Sequence, residues 1–215
     1  MPGFLKKTID FINEINFDFL SKRLQNMCTI SNDPYINVYP SLIESISRQK
    51  EDIHSMILLA HMVYGWMPTI IKSDFQKEDS YLLQKIDVGS LENTFLLRMK
   101  ECINNSIVGT SKFLHFKNPQ QYAIWDSKVY RSITGKKYNQ SQINNIENFI
   151  AYTKRLRFLA SQSETEKMKT ILIKKRYCNE NASNLRVIEI ILFYSFLQKT
   201  GAKMSRFFVY SNNRG

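Results

Sequence analysis

Apolar positions along the chain recur three and four residues apart far more often than they alternate, which is the period of amphipathic helices. Over residues 4–27 the stripe Phe4, Ile9, Ile12, Ile15, Phe19 and Leu20 predicts one opening helix. "SNDPYINVYP" (31–40) breaks it with two prolines. Helical spacing returns over about 41–49 and in "EDIHSMILLAHMVYG" (51–65), which Gly65 and Pro68 bring to an end. After a polar stretch (72–79), "SLENTFLLRMKECIN" places Ser90 in N-cap position ahead of apolar residues 91, 95, 96, 99 and 103. Further helices are expected from about Thr110 to Pro119, over "SKVYRSI" (127–133) behind Asp126, and over about 141–160. "SETE" (163–166) has the form of a capping box, Ser183 caps the last long helix, and Gly201 follows its end. "FFVY" (207–210) reads as a short strand or as tail packing. No repeat and no βαβ alternation is visible, so the expected fold is all-α.

Composition agrees. Seven Gly and five Pro in 215 residues are few for a protein built on tight β-turns, and 43% hydrophobic with 13% aromatic residues supplies a core. Cys28, Cys102 and Cys178 are odd in number and widely spaced, without Cys-x-x-Cys, so thiolates alone build neither a zinc site nor an iron–sulfur cluster. They read as buried free thiols of a reducing cytoplasm. Lys6, Lys7, Asp10 and Glu14 interrupt the opening apolar segment, unlike a signal peptide. The strongest apolar run, "VIEIILFYSFL" (187–197), is short for a membrane span and contains Glu189. A cytoplasmic monomer without membrane association, metal or other cofactor is expected.

Charge sharpens the picture. Residues 1–111 hold 11 Lys/Arg and 13 Asp/Glu, a net of −2, whereas residues 112–178 hold 14 and 4, a net of +10. The remainder, 179–215, holds 5 and 2, a net of +3. Positive charge concentrated in one half of the chain is the footprint of a polyanionic partner, with counterion release making binding salt-sensitive.

The basic half opens on "SIVGTSKFLHFKNPQQYAIWDSKVYRSITG" (106–135), which carries the candidate chemistry. Val108-Gly109-Thr110 reads as a tight turn that brings backbone amides towards a phosphate, with a helix N-terminus, Lys112 and Ser111 just behind it. Asp126 heads the next helix as its N-cap, a sufficient structural reason for an aspartate there.

This segment resembles the helix-hairpin-helix DNA glycosylases, whose hairpin of the type L-P-G-V-G-x-[K/S] is followed by a helix and then P-[I/V]-x-D-x-x-V-x-R. Val108-Gly109-Thr110-Ser111 matches the first element, and Ile124-Trp125-Asp126-Ser127-Lys128-Val129-Tyr130-Arg131 the second, in the form of the adenine and 8-oxoguanine glycosylases. The likeness covers roughly thirty residues. Ile107 and Ala123 replace a family glycine and proline, and the interval to the aspartate is about one helical turn short. The resemblance implies two helical lobes in a single compact unit over 1–215, divided as about 1–111 and 112–215, with a helix-hairpin-helix-like element at their junction. It implies duplex DNA as partner, a flipped damaged or modified base, and Asp126 stabilising the developing sugar cation. In bifunctional members a lysine attacks the sugar C1′; direct alignment puts Ser111 there, and the shorter interval restores Lys112. Which of the two faces the sugar stays open at this point.

On this reading Asp126 and Lys112 are the catalytic candidates. Val108, Gly109, Thr110, Ser111, His115, Lys117, Lys128 and Arg131 are candidates for DNA contact, and Tyr64, Trp66 and Trp125 for a base pocket. His54 and His61, seven apart on one helix face without an acidic partner, read as structural, and Arg186 and Glu189 as a buried ion pair without chemistry. The rival expectation is a DNA- or RNA-binding protein that lacks the chemistry. A third is a nuclease or interaction module of a defence system, although the four acids of the basic region offer little to a metal-dependent nuclease.

Overall fold

The computed structural model describes residues 7–30, 33–66 and 73–199, with the side chains of Trp66 and of residues 196–199 outside that description. Phe4, Pro68, Gly201 and the segment 207–210 also lie outside the described residues. The protein is all-α. The described residues form α1 (Thr8–Asn13), α2 (Phe17–Gln25), α3 (Pro34–Ser47), α4 (Ile53–Trp66), α5 (Tyr81–Asp87), α6 (Asn93–Cys102), α7 (Ile107–Lys117), α8 (Ser127–Thr134), α9 (Gln140–Ile143), α10 (Ile146–Ala160), α11 (Glu164–Lys174) and α12 (Asn184–Lys199), plus a 3-10 turn at Lys77–Ser80. The one extended pairing among them is an isolated bridge between Ser73 and Ile103.

Several boundaries differ from the apolar pattern, each for a local reason. The opening segment is two helices, because the Asn16 side chain accepts from the Phe19 amide and starts α2 afresh. Ile12, Ile15 and Leu20 nevertheless converge on the core. "SNDPYINVYP" is not an interruption but the start of α3: Asp33 accepts from the Tyr35 and Ile36 amides, and Pro34 occupies the first turn, where its missing N–H costs nothing. Pro40 sits inside that helix and removes one intrahelical bond. The expected 141–160 helix is split by Asn144 and Asn145, the latter capping α10 through the Asn148 amide. The 90–105 helix starts later than its serine suggests, at Asn93 behind Glu92. The capping box at 163–166 does not form, since Ser163 is itself helical and its hydroxyl turns to Glu164. Ser183 does cap α12, accepting from the Arg186 amide while donating to the Pro119 carbonyl.

Helix α12 is the spine of the packing. Leu185, Val187, Ile188, Ile190, Ile191 and Leu192 are all buried, so it is apolar around its circumference rather than amphipathic. It packs against α2, α8, α10 and α11, while α7 is enclosed by α3, α4, α6 and α10. The two groups do not follow the expected division at residue 111: α1 and α2 pack on α8, α10, α11 and α12. Thr8 reaches Gln142, and Arg155 donates to the Ile15 carbonyl. Part of the positive charge of residues 112–178 is consumed this way. Arg157 holds the carbonyls of Gln121 and Gly89, and Lys175 those of Leu24 and Met27. Of the thiols, Cys102 is buried, Cys178 half-buried and Cys28 exposed, and the three are not joined in a disulfide.

Candidate active site

Helices α6 and α7 are joined by a short turn made by asparagine. Asn104 and Asn105 both adopt left-handed backbone, at φ 53° and 51°, a conformation asparagine tolerates better than most side chains. The Asn144 side chain clasps the turn, accepting from the Ile107 amide and donating to the Asn105 carbonyl. Gly109 is therefore not a turn residue. It lies in the first turn of α7, its amide bonded to the Ser106 hydroxyl, where a Cβ would stand 2.7 Å from the Tyr64 hydroxyl and 2.9 Å from Ile103. Glycine is needed for close helix packing and not for approach to a phosphate.

Helix α7 presents two neighbouring faces to the rest of the site. Ser111 and His115, one turn apart, face a strap that leaves a turn at 119–121 and runs without helix from Tyr122 to Asp126. Ser111 is fully buried, and its hydroxyl accepts from the Trp125 amide at 3.0 Å while lying 3.1 Å from the Trp125 carbonyl and 2.9 Å from that of Val108. The His115 Nδ1 bonds the Tyr122 carbonyl at 2.7 Å, and since a carbonyl only accepts, Nδ1 carries the proton and Nε2 accepts from the Tyr39 hydroxyl. Burial, and then the Arg186 charge, push the His115 pKa down to about 3. Glu189 accepts from the Ile124 amide and pairs with Arg186. The Tyr152 hydroxyl donates to the Ile124 carbonyl, and the Trp125 indole to that of Ile143. The strap is thus tied down from α7, α10 and α12 together.

Its end is Asp126, which caps α8 with one oxygen: Oδ1 accepts from the Lys128 and Val129 amides, each at 2.9 Å. Oδ2 makes no hydrogen bond among the described residues. One step round α7 from Ser111, Lys112 is half-buried and makes no hydrogen bond or ion pair among the described residues. Its charge is felt by both Asp126 and Lys128. Burial lowers the Lys112 pKa, Asp126 counters this, and Lys128 adds to it. Lys112 is thus a largely desolvated amine within electrostatic range of Asp126, as is Lys128. Lys128 lies with its ammonium 4.5 Å from the centre of the Phe193 ring.

The other expected contact residues are distributed differently. Arg131 is exposed, Val108 is half-buried, and Lys117 pairs with Glu51 at 3.2 Å. Gly109, Thr110, Ser111 and His115 are closed off from any partner at the surface, because the helix face that bears them packs into the core. The same holds for two of the base-pocket candidates. Trp125 is fully buried against Tyr130 and Tyr152, and Tyr64 is 8% exposed with its hydroxyl accepting from Asn104. Trp66 ends α4, and its side chain is outside the described residues. His54 and His61 are exposed on α4, His61 bonding the Ile57 carbonyl. Tyr39, Asn144 and Tyr152 are site-forming residues that sequence reasoning did not single out; Glu189 was visible as an acid in an apolar helix, but not its hold on Ile124. No group of three or more His, Cys, Asp or Glu among the described residues is disposed to hold a metal ion, and no described helix is long and apolar enough to cross a membrane.

Comparison of the chain with models of protein families, with curated proteins and with solved structures finds no match.

Proposed function

We propose that the protein is a DNA glycosylase-like enzyme that excises a damaged or modified base from duplex DNA, with Lys112 as nucleophile and Asp126 as the electrostatic and proton-handling partner. One observation supports this above the rest. Ser111 is fully engaged in holding the strap, whereas Lys112, within electrostatic range of Asp126, makes no hydrogen bond or ion pair among the described residues. A lysine depressed by desolvation has a larger neutral fraction near neutral pH, and the neutral amine is the nucleophile.

In the proposed reaction the C1′–N bond breaks and its electron pair leaves with the base, which is protonated. The free Asp126 oxygen stabilises the positive charge that develops on the sugar. The Lys112 nitrogen forms a bond to C1′ and gives up a proton, for which Asp126 is the adjacent acceptor. Opening of the sugar ring then gives a protonated imine, and β-elimination of the 3′ phosphate nicks the strand. Exposed Lys136 and Lys137, in the turn after α8, supply backbone-neutralising charge on the same side of the chain order as the site.

Borohydride reduction in the presence of an abasic duplex tests the assignment. Wild-type protein is expected to form a covalent adduct, Lys112→Ala to form none, and Asp126→Asn to form it far more slowly. Adduct formation by Lys112→Ala at the wild-type rate would remove Lys112 from the chemistry. Salt-sensitive duplex binding without an adduct or base release from any modified duplex would favour the non-catalytic nucleic-acid-binding reading, for which capping of α8 is all that Asp126 does.

A further inference from the structure

On the α3 side of the buried network lies a cavity of about 360 Å³, bounded by α3, the connection from α11 to α12, and α12 itself. Neither Lys112 nor Asp126 lines it. Its volume falls at the lower end of small-molecule sites, roughly 300–1,000 Å³. Most of the wall is apolar, from residues such as Pro40, Tyr177 and Ile190.

The remaining wall is cationic and incompletely satisfied. Arg186 lines the cavity, is 6% exposed, and lies with its guanidinium 4.4 Å from the centre of the Tyr39 ring. Its Nη1 donates to Glu189, while Nε is buried without a hydrogen-bond partner among the described residues. A buried charged donor left unmet is costly, and native structures fill such positions with a protein group, water or ligand. Both Glu189 oxygens are engaged, one with Arg186 and the other with the Ile124 amide. A second cation, Arg176, stands at the exposed rim. It is held in left-handed backbone at φ 66°, with its own amide on the Ile173 carbonyl and that of Tyr177 on Leu172. The turn that fixes Arg176 also sets Tyr177 into the cavity wall.

Two arginines on an otherwise apolar cavity suit planar oxyanions, to which guanidinium offers paired donors. We propose that this cavity binds a small organic anion, a carboxylate or phosphate monoester carried on a compact flat apolar body, with Arg186 at its base and Arg176 at its rim. The site stands independently of the glycosylase reading, since no lining residue takes part in the proposed chemistry. It adjoins the Arg186–Glu189 pair, so occupancy adds a partner to the network that holds the strap.

Calorimetric titration of the full chain with benzoate, phenyl phosphate, benzyl alcohol and inorganic phosphate provides the test. At least one aromatic anion is expected to bind saturably with Kd below about 1 mM, with benzyl alcohol and inorganic phosphate at least about tenfold weaker. The ratio of benzoate to phenyl phosphate affinity tells which oxyanion the site prefers. Arg176→Gln, at an exposed position, is expected to weaken binding about tenfold, and Asn37→Trp at the rim to block it, both with unchanged circular dichroism. Absence of saturable binding by either anion up to about 10 mM would overturn the proposal. So would equal binding of benzyl alcohol, or anion affinity unaffected in both variants.

Discussion

The neutral, buried imidazole of His115 makes stability depend on pH in a way that can be worked out in advance. In the folded protein burial holds its pKa near 3, whereas in the unfolded chain it returns to about 6.5. Because the folded value is depressed, its stabilising contribution is complete above the unfolded pKa and is lost as pH falls towards the folded one. Between about pH 7 and pH 5 the folded ring stays neutral while the unfolded ring takes up its proton, and the linkage integral gives about 2 kcal/mol of stability lost. That figure is insensitive to the folded pKa as long as it lies below the interval. Glu189 works in the opposite sense, since burial raises its carboxyl to about 7 and stability from that source is gained as pH falls through the same range. Comparison with His115→Asn isolates the imidazole: asparagine keeps a donor for the Tyr122 carbonyl and does not titrate. Urea unfolding of both proteins at the two pH values gives the difference. The variant is less stable at pH 7, and its deficit relative to wild type is expected to shrink by about 2 kcal/mol at pH 5. A deficit that is the same at both values would refute the neutral, buried state of this ring.

Two glycines inside helices should respond to alanine with opposite signs. Gly65→Ala in α4 meets nothing within 4 Å and is expected to stabilise by up to about 1 kcal/mol, whereas Gly109→Ala in α7 is driven into Tyr64 and Ile103 and should lose about 1–2 kcal/mol in thermal or urea unfolding. Ser111→Ala strips the buried Trp125 amide of its acceptor and is expected to cost about 1–3 kcal/mol; no loss would mean that Ser111 does not fix the strap. Asp126→Ala removes the α8 cap at about 1 kcal/mol, while Asp126→Asn retains it within a few tenths, so calorimetric unfolding of the pair separates capping from charge. Equal destabilisation by both would place the carboxylate charge, rather than the cap, in charge of stability.

The helical class was legible because the 3.6 period is strong in elements such as α2 and α8, and Asp126 was legible because a cap and a candidate carboxylate occupy one position. Other features were hidden by the same logic that makes sequence reading work. Glycine is the strongest turn signal, so Gly109 drew the turn to itself, while the left-handed residues are Asn104 and Asn105, whose tolerance of that backbone is weaker evidence. Pro40 argues against a helix that tertiary packing forms regardless. The choice between Ser111 and Lys112 could not be made from spacing, because it depends on where the strap crosses α7. The fold shows the Ser111 hydroxyl committed to Trp125, whereas the Lys112 amine makes no hydrogen bond among the described residues, a difference that spacing does not reveal.

The placement of α1 and α2 sets the order in which the chain can fold. These helices precede the others described, yet their partners lie up to 172 residues downstream, as in the bond from Arg23 to the Ser195 hydroxyl. Until α8 to α12 have left the ribosome, Ile12, Ile15 and Leu20 lack the surface on which they pack, and contacts of such long sequence separation form slowly. The group around α7 is local by comparison and can collapse earlier. The N-terminal pair is therefore the last piece to dock, and nascent chains that stall before α12 will carry it exposed to chaperones and proteases.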